Sequence, residues 1–198
     1  MAAPPDFQQG ITVRIMYVHV PSAKMALLVY LVLTLASLLF LWRGYDWADR
    51  VVEAAVPVGA AFTAVTLVTG SIWGKPMWGA WWAWDARLTS MLVLLIIYGG
   101  LAALRSSFDD GRRAARTTAV MVLVGAVDLP IIHYSVQWWR TLHQPASFNG
   151  PAASSIAAPL LWPLLVMSAA FLALACYMVL LKFRLVTLQR HLEQIESP

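Results

Sequence analysis

Five long apolar runs constrain this sequence more than any other feature. Each has about the length, roughly 20 residues, that a helix needs to cross the hydrocarbon core of a bilayer. A chain in lipid must satisfy its own backbone hydrogen bonds, and helices do so within one continuous segment. The sequence therefore predicts an all-α integral membrane protein, a bundle of about five transmembrane helices, at residues 25–42, 51–70, 88–104, 117–136 and 156–181.

The composition agrees with this class. Hydrophobic residues make up 60% of the chain, charged residues make up 12%, and the mean hydropathy is +0.68, whereas a soluble domain has about 25% charged residues. The 198 residues contain no internal repeat or long linker, which predicts a single transmembrane domain, 1–198. The single cysteine, Cys176, excludes an internal disulfide and a thiolate metal cluster.

The distribution of basic residues predicts the orientation of the bundle. Cytoplasmic loops of membrane proteins carry an excess of Lys and Arg. This rule places the C-terminal tail in the cytoplasm and the N-terminus outside, and the pI near 9.5 then requires no nucleic-acid partner. The nine basic residues of the cytoplasmic surface are Arg43, Arg50, Arg105, Arg112, Arg113, Arg116, Lys182, Arg184 and Arg190, and the five of the outer surface are Arg14, Lys24, Lys75, Arg87 and Arg140.

A tryptophan-rich segment, residues 73–87 (WGKPMWGAWWAWDAR), lies between the second and third runs. Its glycines and its proline predict a loop, 71–88, that breaks regular helix at the outer surface and can lie against a planar ligand. The alternative is an aromatic belt that only anchors the surface, although belt residues normally decorate several helix ends. Asp85 either contacts the ligand or caps a helix that begins near Ala86. The tryptophans of the segment, five of the ten in the chain, are Trp73, Trp78, Trp81, Trp82 and Trp84.

Three of the four histidines fall near the same surface. His19 precedes the first run, His133 lies near the end of the fourth, and His143 follows it. Neutral imidazole is a common metal ligand, and a haem iron accepts one imidazole on each face. A zinc site would require three or four ligands in a closer array. Paired histidines beside the tryptophans therefore favour haem, with structural hydrogen bonding as the alternative, and His191 in the tail is expected to be solvated.

Three motifs carry a family resemblance. The tryptophan-rich segment resembles the WWD signature of haem-handling proteins, in the form found in CcmC proteins of the bacterial system I cytochrome c maturation pathway. The segments RIMYVHVP at 14–21 and LPIIHYSVQWWRTLHQ at 129–144 are similar to the same family in order and spacing. With GRR at 111–113, the resemblance covers nearly the whole chain.

The resemblance implies haem transfer rather than an enzyme with a catalytic residue. In this family membrane lipid surrounds the protein, and haem b is held at the periplasmic face of the inner membrane by two histidines and the tryptophan loop. It is passed to the haem chaperone CcmE, and the small protein CcmD and the CcmA–CcmB ABC transporter are partners. The axial ligands carry over to His19 and His143, whereas His133 does not match an axial ligand. The family usually has six spans, and this chain begins at about the loop that follows the first.

Further expectations concern the surroundings of the haem and the ends of the helices. Arg140, Lys75 and Arg87 are candidates to pair with the propionates, and the tryptophans would cover a porphyrin edge at about 25 cal/mol per Å² buried. Pro21 predicts the start of the first helix, and Asp128 with Pro130 predicts an interruption of the fourth span. Polar composition predicts an aqueous loop at 105–116, an irregular loop at 137–155 and a polar tail at 182–198.

Three other classes of protein remain open from the sequence. A membrane b-type cytochrome in electron transfer would also use paired histidines, but usually within facing helices. A non-enzymatic membrane scaffold would use the tryptophans only as anchors. A cytochrome c synthase also carries a tryptophan-rich loop, but such chains are longer and have more spans.

Overall fold

The computed structural model describes residues 4–143 and 156–196, which form a helical bundle. A short 3-10 helix, Ile11–Ile15, leads into the first α-helix. Five segments of the described chain are long and apolar enough to cross a membrane, with α4 and α5 together forming one of them. The prediction of an all-α bundle with five spans is therefore confirmed. The helices are α1 (Met16–Arg43), α2 (Asp46–Trp78), α3 (Ala86–Ser106), α4 (Gly111–Gly125), α5 (Asp128–Trp138) and α6 (Ala158–Glu196).

The centre of the bundle is formed around α1 and two buried tyrosines. Tyr30 and Tyr98 are fully buried and meet edge to face, with ring centroids 5.2 Å apart. The Tyr30 hydroxyl donates to the Val122 carbonyl and the Tyr98 hydroxyl to the Ala26 carbonyl, at 3.2 and 2.9 Å. Each ring lies against a glycine, Gly125 or Gly59, where a β-carbon would overlap it. These contacts join α1, α2, α3 and α4.

The interruption predicted in the fourth span is present. Helix α4 ends at Gly125 and α5 begins at Asp128. Pro130 has no N–H to donate to the Ala126 carbonyl, so a continuous α-helix would lose this bond, whereas proline is tolerated in the first turn of a new helix. Asp128 in that first turn is buried, and the break re-aims α5 so that it packs on α3.

Three predicted helix boundaries were wrong. Helix α1 begins at Met16 rather than at Pro21, because Val13, Met16 and Tyr17 pack against the start of α6 and hold this region in place. The segment 105–116 is mostly helical, since α3 ends at Ser106 and Asp110 caps α4 through the N–H groups of Arg112 and Arg113.

The predicted polar tail is also helical, because α6 continues to Glu196. This helix packs against α1 and α2. Only four of its 39 residues are buried, and its many exposed leucines suit a lipid-facing helix.

An ion-pair network joins α2, α3 and α6 at the tail end of the bundle, which is the end where α6 terminates. The Asp49 carboxylate, 5% exposed, accepts hydrogen bonds from Arg105 at 2.8 and 2.9 Å and from Arg190 at 2.7 Å. Glu53, one turn further along α2, pairs with the same two guanidinium groups. Buried charges are stable only when they are paired, so the network fixes the register of three helices. The sequence identified both arginines as basic surface residues but not their partners.

Candidate functional site

The tryptophan-rich segment is a loop only over residues 79–85. The predicted loop, 71–88, was wrong at both ends, because α2 continues through Pro76 to Trp78 and α3 begins at Ala86. Gly79 then ends the helix in the left-handed conformation, with φ +77°, and its N–H donates to the Lys75 carbonyl at 3.0 Å. A left-handed residue after the last turn is the usual reason for a glycine at this position. The chain reverses through residues 80–84 and enters α3 at Asp85, so the tryptophans collect at one end of the bundle, here called the tryptophan end.

Asp85 connects the loop to His143. One carboxylate oxygen caps α3 by accepting from the Leu88 N–H at 2.8 Å. The other accepts from His143 Nδ1 at 2.8 Å and from the Leu142 N–H at 3.3 Å. Sequence reasoning offered capping or ligand contact as the roles of Asp85, and the capping role is confirmed. The same carboxylate also fixes a histidine 58 residues away in the chain.

His19 is the fourth residue of α1 and faces α2. Its Nδ1 lies 3.1 Å from the Thr66 carbonyl oxygen and 3.1 Å from the Thr69 hydroxyl. A carbonyl can only accept, so Nδ1 carries the proton and donates. The β-carbon position of Gly70 is 3.0 Å from His19 Cε1, so a glycine is required for this close approach.

Both imidazoles therefore use Nδ1 to hydrogen-bond to the protein. In the described part of the chain neither Nε2 makes a hydrogen bond. Burial lowers the pKa of His143; the hydrogen bond and charge of Asp85 raise it and the charge of Arg87 lowers it, and the net direction is downward. The neutral imidazole, which is the form that binds metals, is then favoured at neutral pH. Anchoring one ring nitrogen and leaving the other available is the usual arrangement of a metal-binding histidine.

The five tryptophans occupy different environments. The Trp73 indole packs edge to face on His19 at 5.6 Å and donates through Nε1 to the Gln9 side chain at 3.1 Å. Trp78 meets His143 edge to face at 4.9 Å. Trp82 meets Trp84 at 5.4 Å, and Trp81 and Trp84 are exposed. Two of the tryptophans thus contact the histidines directly, and the other three lie in the loop beside them.

Trp82 provides an independent indication of a missing polar partner. Its Nε1 is buried and has no hydrogen-bond acceptor among the described residues. Buried donors without a partner are rare in native proteins. A planar ligand with carboxylate groups would supply such an acceptor, and its apolar ring would suit the surrounding indoles. The residues present therefore fit a haem.

The three predicted rim cations are arranged differently. Arg87 is half-buried and joins α3 to α5, donating to the Ser135 hydroxyl at 3.3 Å and to the His133 carbonyl at 3.5 Å. Lys75 is exposed and donates to the Gly79 carbonyl at 2.9 Å, at the end of α2. Arg140 is exposed and makes no hydrogen bond or ion pair within the described residues. Of the three cations, Arg140 is thus the one whose side chain makes the fewest polar contacts with the described residues.

The remaining two histidines lie apart from the pair. The His133 side chain is exposed on α5 and meets the ring of Tyr134, while its backbone carbonyl accepts from Arg87. His191 is exposed near the end of α6, at the tail end. The part of the predicted loop 137–155 that comprises residues 144–155 lies outside the described residues.

Sequence reasoning missed the residues that hold His19. Thr66, Thr69 and Gly70 are three and four residues apart and therefore share one face of α2. The Thr69 hydroxyl and Gly70, one turn before Trp73 on the same helical face, were the available signal, since Thr66 contributes only its backbone carbonyl. The signal could not name a partner, because His19 lies 47 residues from Thr66 in the chain.

A cavity of about 750 Å³ lies at the tail end, between α2, α3, α4 and α6. Its charged lining consists of Glu53, Arg105, Arg190 and Glu193, two of each sign. It contains none of the predicted haem-binding residues. The cavity therefore belongs to the ion-pair network and not to the candidate site.

Comparison with known proteins identifies the family of the chain. The family model described as CcmC, Heme exporter protein C, matches residues 1–197. The chain is 50% identical to "Heme exporter protein C" of Bradyrhizobium diazoefficiens over 195 residues, covering 98% of this chain and 74% of the relative. It is 46% identical to the protein of the same name in Escherichia coli K12 over 183 residues, covering 92% and 73%. A "Putative cytochrome c biosynthesis ccmC-like mitochondrial protein" of Marchantia polymorpha is 43% identical over 192 residues, covering 97% and 81%. A match over nearly the whole chain, together with these identities, places the protein in the CcmC family of haem exporter proteins C.

Proposed function

We propose that the protein binds haem b at the outer face of the membrane through His19 and His143 and delivers it to the haem chaperone CcmE. The observation that carries this proposal is the pair of imidazoles on separate parts of the chain. Each donates Nδ1 to the protein, and neither Nε2 has a hydrogen-bond partner among the described residues. Two such nitrogens match the two axial positions of a haem iron.

Membership of the CcmC family gives the chain a role in haem handling for cytochrome c maturation. The proposal adds the ligands, the acceptor and the location of the site. The further partners are CcmD and the CcmA–CcmB ABC transporter. The protein is a multi-pass protein of the bacterial inner membrane with its haem site on the periplasmic side, which is the orientation favoured by the nine-to-five basic asymmetry.

The tryptophan end contributes in three ways to holding the cargo. The imidazoles of His19 and His143 bind the iron, and Asp85 keeps the second imidazole in the required tautomer. Trp78, Trp81, Trp82 and Trp84 offer apolar surface to the porphyrin, and the buried Trp82 Nε1 offers a hydrogen bond to a propionate. Arg140 is the cation available for the other propionate, because Arg87 and Lys75 already donate to the protein.

An absorption spectrum of the protein purified from membranes tests the proposal. We expect the bands of a haem with two histidine ligands, and either His19→Ala or His143→Ala should weaken haem retention, with partial rescue by added imidazole. His191→Ala is the matched control, since His191 is exposed at the opposite end. A wild-type protein that neither contains nor takes up haem would overturn the proposal. Wild-type spectra from both histidine variants would move the ligands elsewhere.

A further inference from the structure

We propose that the two axial histidines are unequal, so that His19 is the ligand released first when haem leaves and His143 keeps the iron until the acceptor takes it. This inference rests on the proposed function. The inference concerns the hydrogen-bond acceptors of the two imidazoles. These acceptors differ in charge and in their distance from Nδ1, and the two histidines lie in different parts of the fold.

His143 is held by a carboxylate. Its Nδ1 lies 2.8 Å from Asp85, and the two side chains are only 18% and 6% exposed. In such a weakly hydrated place the negative charge is little screened. A carboxylate that accepts from a metal-binding histidine increases the electron donation of the other ring nitrogen. The bond from His143 to the iron is therefore the stronger of the two, above all to ferric iron.

His19 is held by two neutral acceptors. The Thr66 carbonyl and the Thr69 hydroxyl are both 3.1 Å from Nδ1. The Thr69 hydroxyl already donates its own proton to the Val65 carbonyl at 2.7 Å, so it can only accept from the imidazole. Hydrogen bonds between neutral groups are longer and about half as strong as charge-assisted ones. His19 is therefore the less basic ligand.

The two imidazoles also differ in their attachment to the fold. His19 is part of α1, next to Tyr17 and Met16, which are buried against α6. His143 lies beyond the end of α5, in the non-helical residues 139–143, and the Asp85 carboxylate accepts hydrogen bonds from the His143 side chain and from the Leu142 N–H. When the iron moves toward an acceptor, a helix-bound ligand on a weaker bond separates first. The electron pair of that bond stays on His19 Nε2, and an incoming lone-pair donor takes the vacated position.

The variant Asp85→Asn tests the inequality. An Asn oxygen is neutral, and with its one acceptor atom it cannot serve the three donors that Asp85 serves now, which come from Leu88, Leu142 and His143. We expect haem affinity to fall by about ten-fold or more. The preference for ferric iron should fall as well, and each ten-fold loss raises the midpoint potential by about 59 mV. A role confined to helix capping would leave the potential unchanged.

Asp110→Asn is the matched control. Asp110 caps α4 at the tail end through the N–H groups of Arg112 and Arg113, without a histidine. This variant makes the same carboxylate-to-amide change at a helix N-cap, where Asn caps about as well as Asp, and should leave the haem potential at the wild-type value. Thr69→Val removes one neutral acceptor of His19 and should move the potential far less than Asp85→Asn. Equal potentials in the Asp85 and Asp110 variants, or equal shifts in the Asp85 and Thr69 variants, would overturn the inference.

Single-ligand variants provide a second measurement that does not require Asp85 to be changed. Haem bound to His19→Ala is held by His143, and haem bound to His143→Ala is held by His19. We expect transfer of haem to apomyoglobin to be about ten-fold faster from His143→Ala. Equal transfer rates, or faster haem loss from His19→Ala, would overturn the inequality of the two ligands. The proposed function would still stand if the wild-type spectrum shows two histidine ligands. A wild-type protein that neither contains nor takes up haem would overturn both the inequality and the proposed function.

Discussion

Gly70→Ala should weaken haem binding without weakening the fold. The new β-carbon would lie 3.0 Å from His19 Cε1, which is closer than nearly all such contacts in proteins. The imidazole cannot move toward α2, because its Nδ1 is already 3.1 Å from two acceptors there, Thr66 and Thr69. A shift of a few tenths of an ångström away from Gly70 lengthens these hydrogen bonds and re-aims Nε2.

The expected changes in haem affinity and in stability follow from the loss of a hydrogen bond and the gain of a better helix former. Losing one neutral hydrogen bond costs about 1 kcal/mol, which corresponds to roughly a five-fold weaker affinity for haem. Alanine is a better helix former than glycine by about 0.8 to 1.0 kcal/mol, and Gly70 lies inside α2. Since the lost hydrogen bond also belongs to the fold, the two terms nearly cancel, and the free energy of unfolding should stay about level while haem affinity falls.

The assay is a haem titration of the apoprotein in detergent, with thermal unfolding followed by tryptophan fluorescence on the same samples. Gly99→Ala is the matched control, because Gly99 lies in a helix and its β-carbon position has no neighbour within 4 Å. In a His19→Ala background, Gly70→Ala should have no further effect. Wild-type affinity in the Gly70 variant, or a parallel loss in the Gly99 variant, would refute the reasoning.

Three further outcomes are expected. Asp49→Asn removes the negative charge that pairs with Arg105 in the ion-pair network. This loss should lower the free energy of unfolding by about 2 to 4 kcal/mol. An unchanged thermal midpoint would contradict a stabilising role for the network. Gly125→Ala places a β-carbon against the Tyr30 hydroxyl, so overpacking should cost about 1 to 3 kcal/mol in thermal unfolding, and a variant as stable as wild type would show that the ring can move. A reporter fused at Gly79 should read as periplasmic and one fused to the C-terminus as cytoplasmic, with the opposite pattern excluding the proposed orientation.

The sequence determined the number and approximate position of the spans because apolar length is a local property. It also located the break near Pro130, since proline cannot donate within a helix. Its local rules gave wrong helix ends at Pro21 and Pro76, where each proline costs one hydrogen bond but packing keeps the helix continuous. The packing of Tyr17 against the start of α6 is a support that local rules cannot include.

The sequence likewise supplied the residue types of the candidate site: paired histidines, a cluster of tryptophans and an aspartate at a helix start. Only the tertiary structure decided which groups accept a hydrogen bond from each histidine. Asp85 meets His143 across 58 residues and Thr66 meets His19 across 47. Such pairs depend on which faces of α1, α2 and α3 come together, and the side-chain packing of the whole bundle decides that. The inequality of the two imidazoles therefore follows from the fold, although every residue that creates it can be read in the sequence.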